Sequence, residues 1–151
     1  MAVGLMYLID PLGQIAKTND ARRKSDLEQL QRTLEVYYND NGKYPATTGS
    51  TVSPYYRLFP SSVLYDWGSV WTAYNTTLPK DPTSARNYVY FARSDGQSYW
   101  LYANLQAPAD PQKCSGSECP SITTNVITAN SCGPSPGKPC NFGVSSPNVS
   151  P

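Results

Sequence analysis

The sequence predicts an α+β fold in which one long N-terminal helix packs on a small antiparallel β-sheet, with a loop-rich, disulfide-bearing C-terminal extension. Three observations carry that prediction. Residues 10–39 repeat apolar side chains at helical spacing, with Leu27, Leu30, Leu34 and Tyr37 on one face. NYVYFAR (87–93) and YWLYANL (99–105) are rich in β-branched and aromatic residues and are joined by Ser-Asp-Gly-Gln-Ser, a hairpin signal. All four cysteines, Cys114, Cys119, Cys132 and Cys140, fall in a Pro, Ser and Asn-rich tail. The chain accordingly divides into residues 1–9, a domain over 10–105 and an extension over 106–151.

The composition narrows the function. With 151 residues the chain holds a modest core and no large multidomain enzyme. Its 12 basic and 11 acidic side chains nearly cancel, so no global field favours nucleic acid or an anionic membrane surface. There is no histidine, which removes the commonest general base, metal ligand and pH switch. No convincing pairing of nucleophile and base appears either, and no enzymatic activity, cofactor or metal is expected. Twelve tyrosines, 14 prolines and only 15% charged residues describe a polar, aromatic, loop-rich surface suited to an extracytoplasmic setting.

Residues 1–9, MAVGLMYLI, are apolar, yet far shorter than the ~18 residues that a membrane span needs. They also lack the charged start and small-residue cleavage site of a secretory signal. Two readings stand: the remnant of a longer hydrophobic helix, or an ordinary helix start. Asp10-Pro11 supplies a cap and first-turn pair, and Ser25-x-x-Glu28 matches a capping box; the earlier start is preferred. Ala16 and Arg23 extend the buried stripe upward. Asp20, Lys24, Glu28 and Arg32 alternate in sign at four-residue spacing, with Arg22 and Asp26 beside them, and form the face built for water. Thirty residues at ~1.5 Å each make a rod of roughly 45 Å, whose upper half has little local core to cover.

The basic group Lys17, Arg22, Arg23 and Lys24 has carboxylates close by and no interleaved aromatic ring for base stacking. It is expected to be a solvated or subunit-facing charge face, with no nucleic-acid binding. Gly42 provides a left-handed residue to close the helix within YYNDNGKYP (37–45), and Pro45 forbids its continuation.

From Ala46 to Pro60 the chain is expected to be loop. Val63, Leu64, Trp67, Val70, Trp71 and Tyr74 then suit a short amphipathic helix over 61–76. Trp67 and Trp71 are expected to pack in the core, the alternative being exposed rings, with Tyr55 and Tyr56, that touch sugar or host protein. LPKDP (78–82) is a rigid connector into the sheet. In the hairpin, Tyr88, Tyr90 and Ala92 share one face, and Tyr99, Leu101, Ala103 and Leu105 form the apolar face of the partner strand. Asp95 is expected to be a turn residue rather than a calcium ligand, since no spaced run of oxygen ligands accompanies it.

An apolar start, Pro11 early in the helix, an amphipathic helix ending YYNDNGKYP, and LPKDP ahead of an antiparallel hairpin together resemble the bacterial type IV pilin and type II secretion pseudopilin family. The resemblance spans residues 5–105 and is most specific at the helix-to-loop junction and LPKDP. It implies a structural subunit of a pilus or related extracellular filament, held in the inner membrane by a hydrophobic helix before assembly. That helix then packs at the filament centre, and the implied partners are other subunits and the pilus or secretion assembly machinery. The family's prepilin processing motif and following glutamate have no counterpart here. Neither has the C-terminal calcium loop of major pseudopilins after Leu105, which favours a pilin.

In an exported protein the four cysteines are expected to form disulfides; C-x4-C followed by C-x7-C departs from the short paired spacings of zinc sites. Three pairings are possible, and the local one, Cys114 with Cys119 and Cys132 with Cys140, closes the least chain. SITTNVITA (121–129) alternates like an edge strand, the alternative being no regular structure.

Overall fold

The computed structural model describes residues 10–47, 56–127, 132–133 and 138–151. The apolar start at 1–9 and Tyr55 lie outside them. The chain is α+β, as its patterning predicts. Helix α1 runs from Pro11 to Asn41, and a three-stranded antiparallel sheet is built from β3 (Val89–Ala92), β4 (Tyr99–Ala103) and β5 (Phe142–Ser145) in the order β3-β4-β5. A two-stranded ribbon, β1 (Val70–Trp71) with β2 (Thr76–Thr77), and a short helix α2 (Pro120–Thr124) complete the regular elements.

Both ends of α1 follow local chemistry. The Asp10 carboxylate accepts from the Gly13 N–H at 3.0 Å, and Pro11 occupies the first turn, where an N–H has no intrahelical partner. Gly42 adopts φ 69° and donates to the Tyr38 carbonyl, a left-handed closure that glycine adopts at little cost. The Tyr44 N–H then donates to the Gly96 carbonyl in the β3–β4 turn at 2.8 Å, and the Tyr90 hydroxyl donates to the Pro45 carbonyl at 2.6 Å. YYNDNGKYP therefore folds back onto the hairpin that the helix covers.

The hairpin register pairs Tyr90 with Leu101 and Ala92 with Tyr99. Tyr88, Tyr90, Ala92, Tyr99, Leu101, Ala103 and Leu105 face one cluster with Leu27, Leu30, Leu34 and Tyr37 of α1. Within it the Glu35 carboxylate accepts from the hydroxyls of Tyr44 and Tyr99.

The opposite sheet face is covered by the tail. Val89, Trp100 and Tyr102 pack with Cys119, Ile122, Ile127, Cys132 and Cys140. Disulfides join Cys114 to Cys119 and Cys132 to Cys140, the local pairing. Asn141 clamps the strand end, taking the Leu105 N–H at its side-chain oxygen and returning a bond to the Leu105 carbonyl. The sheet is thus enclosed between α1 and a disulfide-bearing cap, and β5, its third strand, comes from the far end of the tail.

Two local expectations fail. Residues 61–76 do not form a helix: a single 3-10 turn at Pro60–Ser62 precedes the β1–β2 ribbon, whose turn spans Thr72–Tyr74. Gly68 at φ 90° and Asn75 at φ 46° take left-handed backbone that a helix cannot contain. The ribbon still buries Trp67 and Trp71, Trp71 against Tyr37 with ring centroids 5.4 Å apart and Trp67 against Tyr88 at 5.7 Å. Residues 120–124 are helical rather than a strand, because Pro120 starts a turn that turns Ile122 into the second cluster.

Candidate functional site

The buried positions of α1 begin at Asp20; from Pro11 to Asn19 none is buried. That stretch is about 14 Å long at ~1.5 Å per residue. It carries Leu12 and Ile15 at 77% and 57% exposure, large values for aliphatic side chains on a helix. Lys17 is exposed on the same stretch. Arg22, one turn further on, is also exposed and lies 3.9 Å from Asp26.

Arg23 does not belong to the charged surface expected for it. It is fully buried, and Asp20, expected on the water-facing side, is buried with it. The cause is helical geometry. Arg23 lies four, seven and eleven residues before Leu27, Leu30 and Leu34, so it falls on the buried stripe of the helix. Its guanidinium forks onto Asp81, Nε to Oδ2 at 2.7 Å and Nη2 to Oδ1 at 2.9 Å, and Nη1 reaches Asp20 Oδ1 at 2.7 Å. The remaining lone pairs are used. Asp20 accepts the backbone N–H groups of Gln106 and Ala107, and Asp81 those of the Thr83 backbone and hydroxyl. Burial alone lowers the guanidinium pKa, but the hydrogen bonds and charges of Asp81 and Asp20 outweigh it and the net shift is upward. One buried cation thereby ties α1 to the LPKDP connector and to the chain leaving β4.

Lys24 is also engaged. Its Nζ lies 2.7 Å from Asp110 Oδ2 and ties α1 to the tail. Partial burial acts to raise the Asp110 pKa, but the Lys24 hydrogen bond and charge bring it below the usual carboxylate value. Of the four basic residues predicted as one face, Lys17 and Arg22 remain exposed, Lys24 is half-buried and Arg23 is internal. Asp81 and Asp110, the ion-pair partners of Arg23 and Lys24, are not evident from the sequence pattern. The available signal was a lone arginine on an otherwise apolar stripe.

Tyr56, Trp67 and Trp71, three of the four aromatic residues in the ligand-binding alternative, are buried. Among the described residues no group of three or more His, Cys, Asp or Glu side chains is placed to hold a metal ion, and no helix is long and apolar enough to cross a membrane. The arrangement joins α1 through buried charge to the LPKDP connector and to the chain leaving β4, and leaves the Pro11–Asn19 end of the helix without a buried position. No protein-family model, curated protein or solved structure matches the chain.

Proposed function

We propose that the chain is a structural subunit of a type IV pilus or related extracellular filament, assembling through its N-terminal helix. One observation carries the reading: α1 continues past its last buried position as an exposed stretch with Leu12 and Ile15 uncovered, on a helix anchored by Arg23 to the connector that leads into the sheet. An exposed apolar helix end held by a rigid head suits side-by-side packing with copies of itself. The anchoring lets a pull on the helix reach the head without hinging between them. On this reading the protein is held at the inner membrane before assembly and ends on the cell surface, with pilus or secretion machinery as its partner.

The test is electron microscopy of cells carrying the gene, with gold-labelled antibody against the folded domain. Label along filaments is the expected result, together with loss of labelled filaments when Leu12 and Ile15 are both changed to Glu. Filaments unlabelled in the wild type and unchanged in number after gene deletion would overturn the proposal. A secretion pseudopilin would instead show normal pili and a secretion defect in the deletion strain.

A further inference from the structure

A cleft of about 430 Å³ lies on the other side of Asp81, lined by Arg57, Asp66, Trp67, Lys80, Asp81, Arg86 and Asn87. Its charges do not cancel locally. Asp81 is committed to Arg23, and Asp66 pairs with Arg57. Lys80 and Arg86 are left with no carboxylate within ion-pair distance among the described residues; Arg86 spends its Nε on the neutral Asn104 oxygen at 2.8 Å. Trp67 adds a buried indole N–H that has no acceptor among the described residues. Pro79 and Pro82 of LPKDP restrain the backbone that bears Lys80.

The half-buried Arg86 guanidinium is partly desolvated without a carboxylate to compensate it, and an acceptor-only ligand shared with the exposed Lys80 ammonium relieves that cost. We infer that this cleft is a binding site for one small oxyanion, a phosphate or carboxylate group, held by Lys80 and Arg86. Burial and the neighbouring Arg23 charge both act to lower the Arg86 pKa, a stress that a bound anion would remove. The group reaches the cleft either as a free ion or as an acidic side chain of a second copy of this chain.

The site is tested by titrating the oxidised protein with inorganic phosphate at low, constant ionic strength while following tryptophan fluorescence. A saturable change with a millimolar midpoint is expected, with sodium chloride at matched ionic strength giving none. Lys80→Gln changes an exposed side chain and preserves the fold; it should weaken binding at least fivefold, as should Arg86→Gln, whereas Lys17→Gln should leave the midpoint unchanged. Sedimentation with and without phosphate separates the two sources. Dissociation of a self-associated species by phosphate, abolished in Lys80→Gln, identifies a neighbouring carboxylate; an unchanged monomer identifies a free ion. No saturable change, the same change with chloride, or unaltered binding in Lys80→Gln would each overturn the inference.

Discussion

Arg23 and Asp81, 58 residues apart in the chain, meet inside the core in a two-bond fork with distances of 2.7 and 2.9 Å. Removing Arg23 leaves the buried Asp20 and Asp81 carboxylates without their cation, and removing Asp81 strips the guanidinium of its two-bond fork while Asp20 remains. Arg23→Ala or Asp81→Ala should each lower unfolding free energy by about 3–5 kcal/mol in urea titrations. The double variant should cost clearly less than the sum of the two. Full additivity would show that the pair is not coupled as the geometry requires.

Leu34 and Arg22 separate stability from assembly. Leu34 is fully buried between α1 and the sheet, and Leu34→Ala should cost ~2–5 kcal/mol in thermal or chemical melts. Arg22 is exposed and makes only a long contact with Asp26, so Arg22→Glu should change stability by about 0.5 kcal/mol or less while reducing filament number in cells. A tolerated Leu34→Ala, or filaments indifferent to Arg22→Glu, contradicts this division.

Alkaline pH should unfold the domain through its tyrosines. Burial, reinforced by the Asp26 and Glu35 carboxylates, raises the pKa values of Tyr88, Tyr99 and Tyr44; burial raises Tyr90 strongly and Tyr102 to about 12. The folded state therefore keeps protons that an unfolded chain releases near pH ~10. Stability is complete below that pH and falls as pH rises toward about 12 and beyond. A near-ultraviolet tyrosinate titration should show exposed tyrosines ionising first, then a steep step coincident with loss of helical circular dichroism. A single smooth titration on a folded protein would refute the burial of these hydroxyls.

Acid acts on the tail contact. The folded Asp110 pKa lies below its unfolded value, so its contribution is present above about pH 4 and is lost as pH falls through the depressed value. Lys24→Met should therefore cost about 1 kcal/mol near neutral pH, and the difference from wild type should shrink in acid. A difference independent of pH would assign the effect to lost packing of the lysine stem instead.

Local chemistry was legible wherever the partners lie near in sequence. Asp10 with Gly13 and Gly42 with Tyr38 close within one turn, and the two disulfides span separations of only 5 and 8 residues. The hairpin faces followed from alternation alone. Where a pattern had two physical solutions, spacing did not choose between them. Trp67 and Trp71, four residues apart, suit a helix, but left-handed Gly68 and Asn75 let a tight ribbon bury the same rings. Around Ile122, alternation that suits a strand is overruled by Pro120 and by the demand of the second cluster for one inward residue.

The sequence by itself determined the long capped helix and the tyrosine-rich hairpin and favoured the nearest-neighbour cysteine pairing among three, because each depends on backbone preferences and short loops. Only the tertiary structure decided that Arg23 is an internal clamp, that β5 completes the sheet, and that the tail covers the second face. The physical reason is solvation. Whether a charge on an apolar stripe faces water or the core depends on a carboxylate that reaches it from 58 residues away, and a strand edge accepts whichever distant segment the rest of the chain delivers to it.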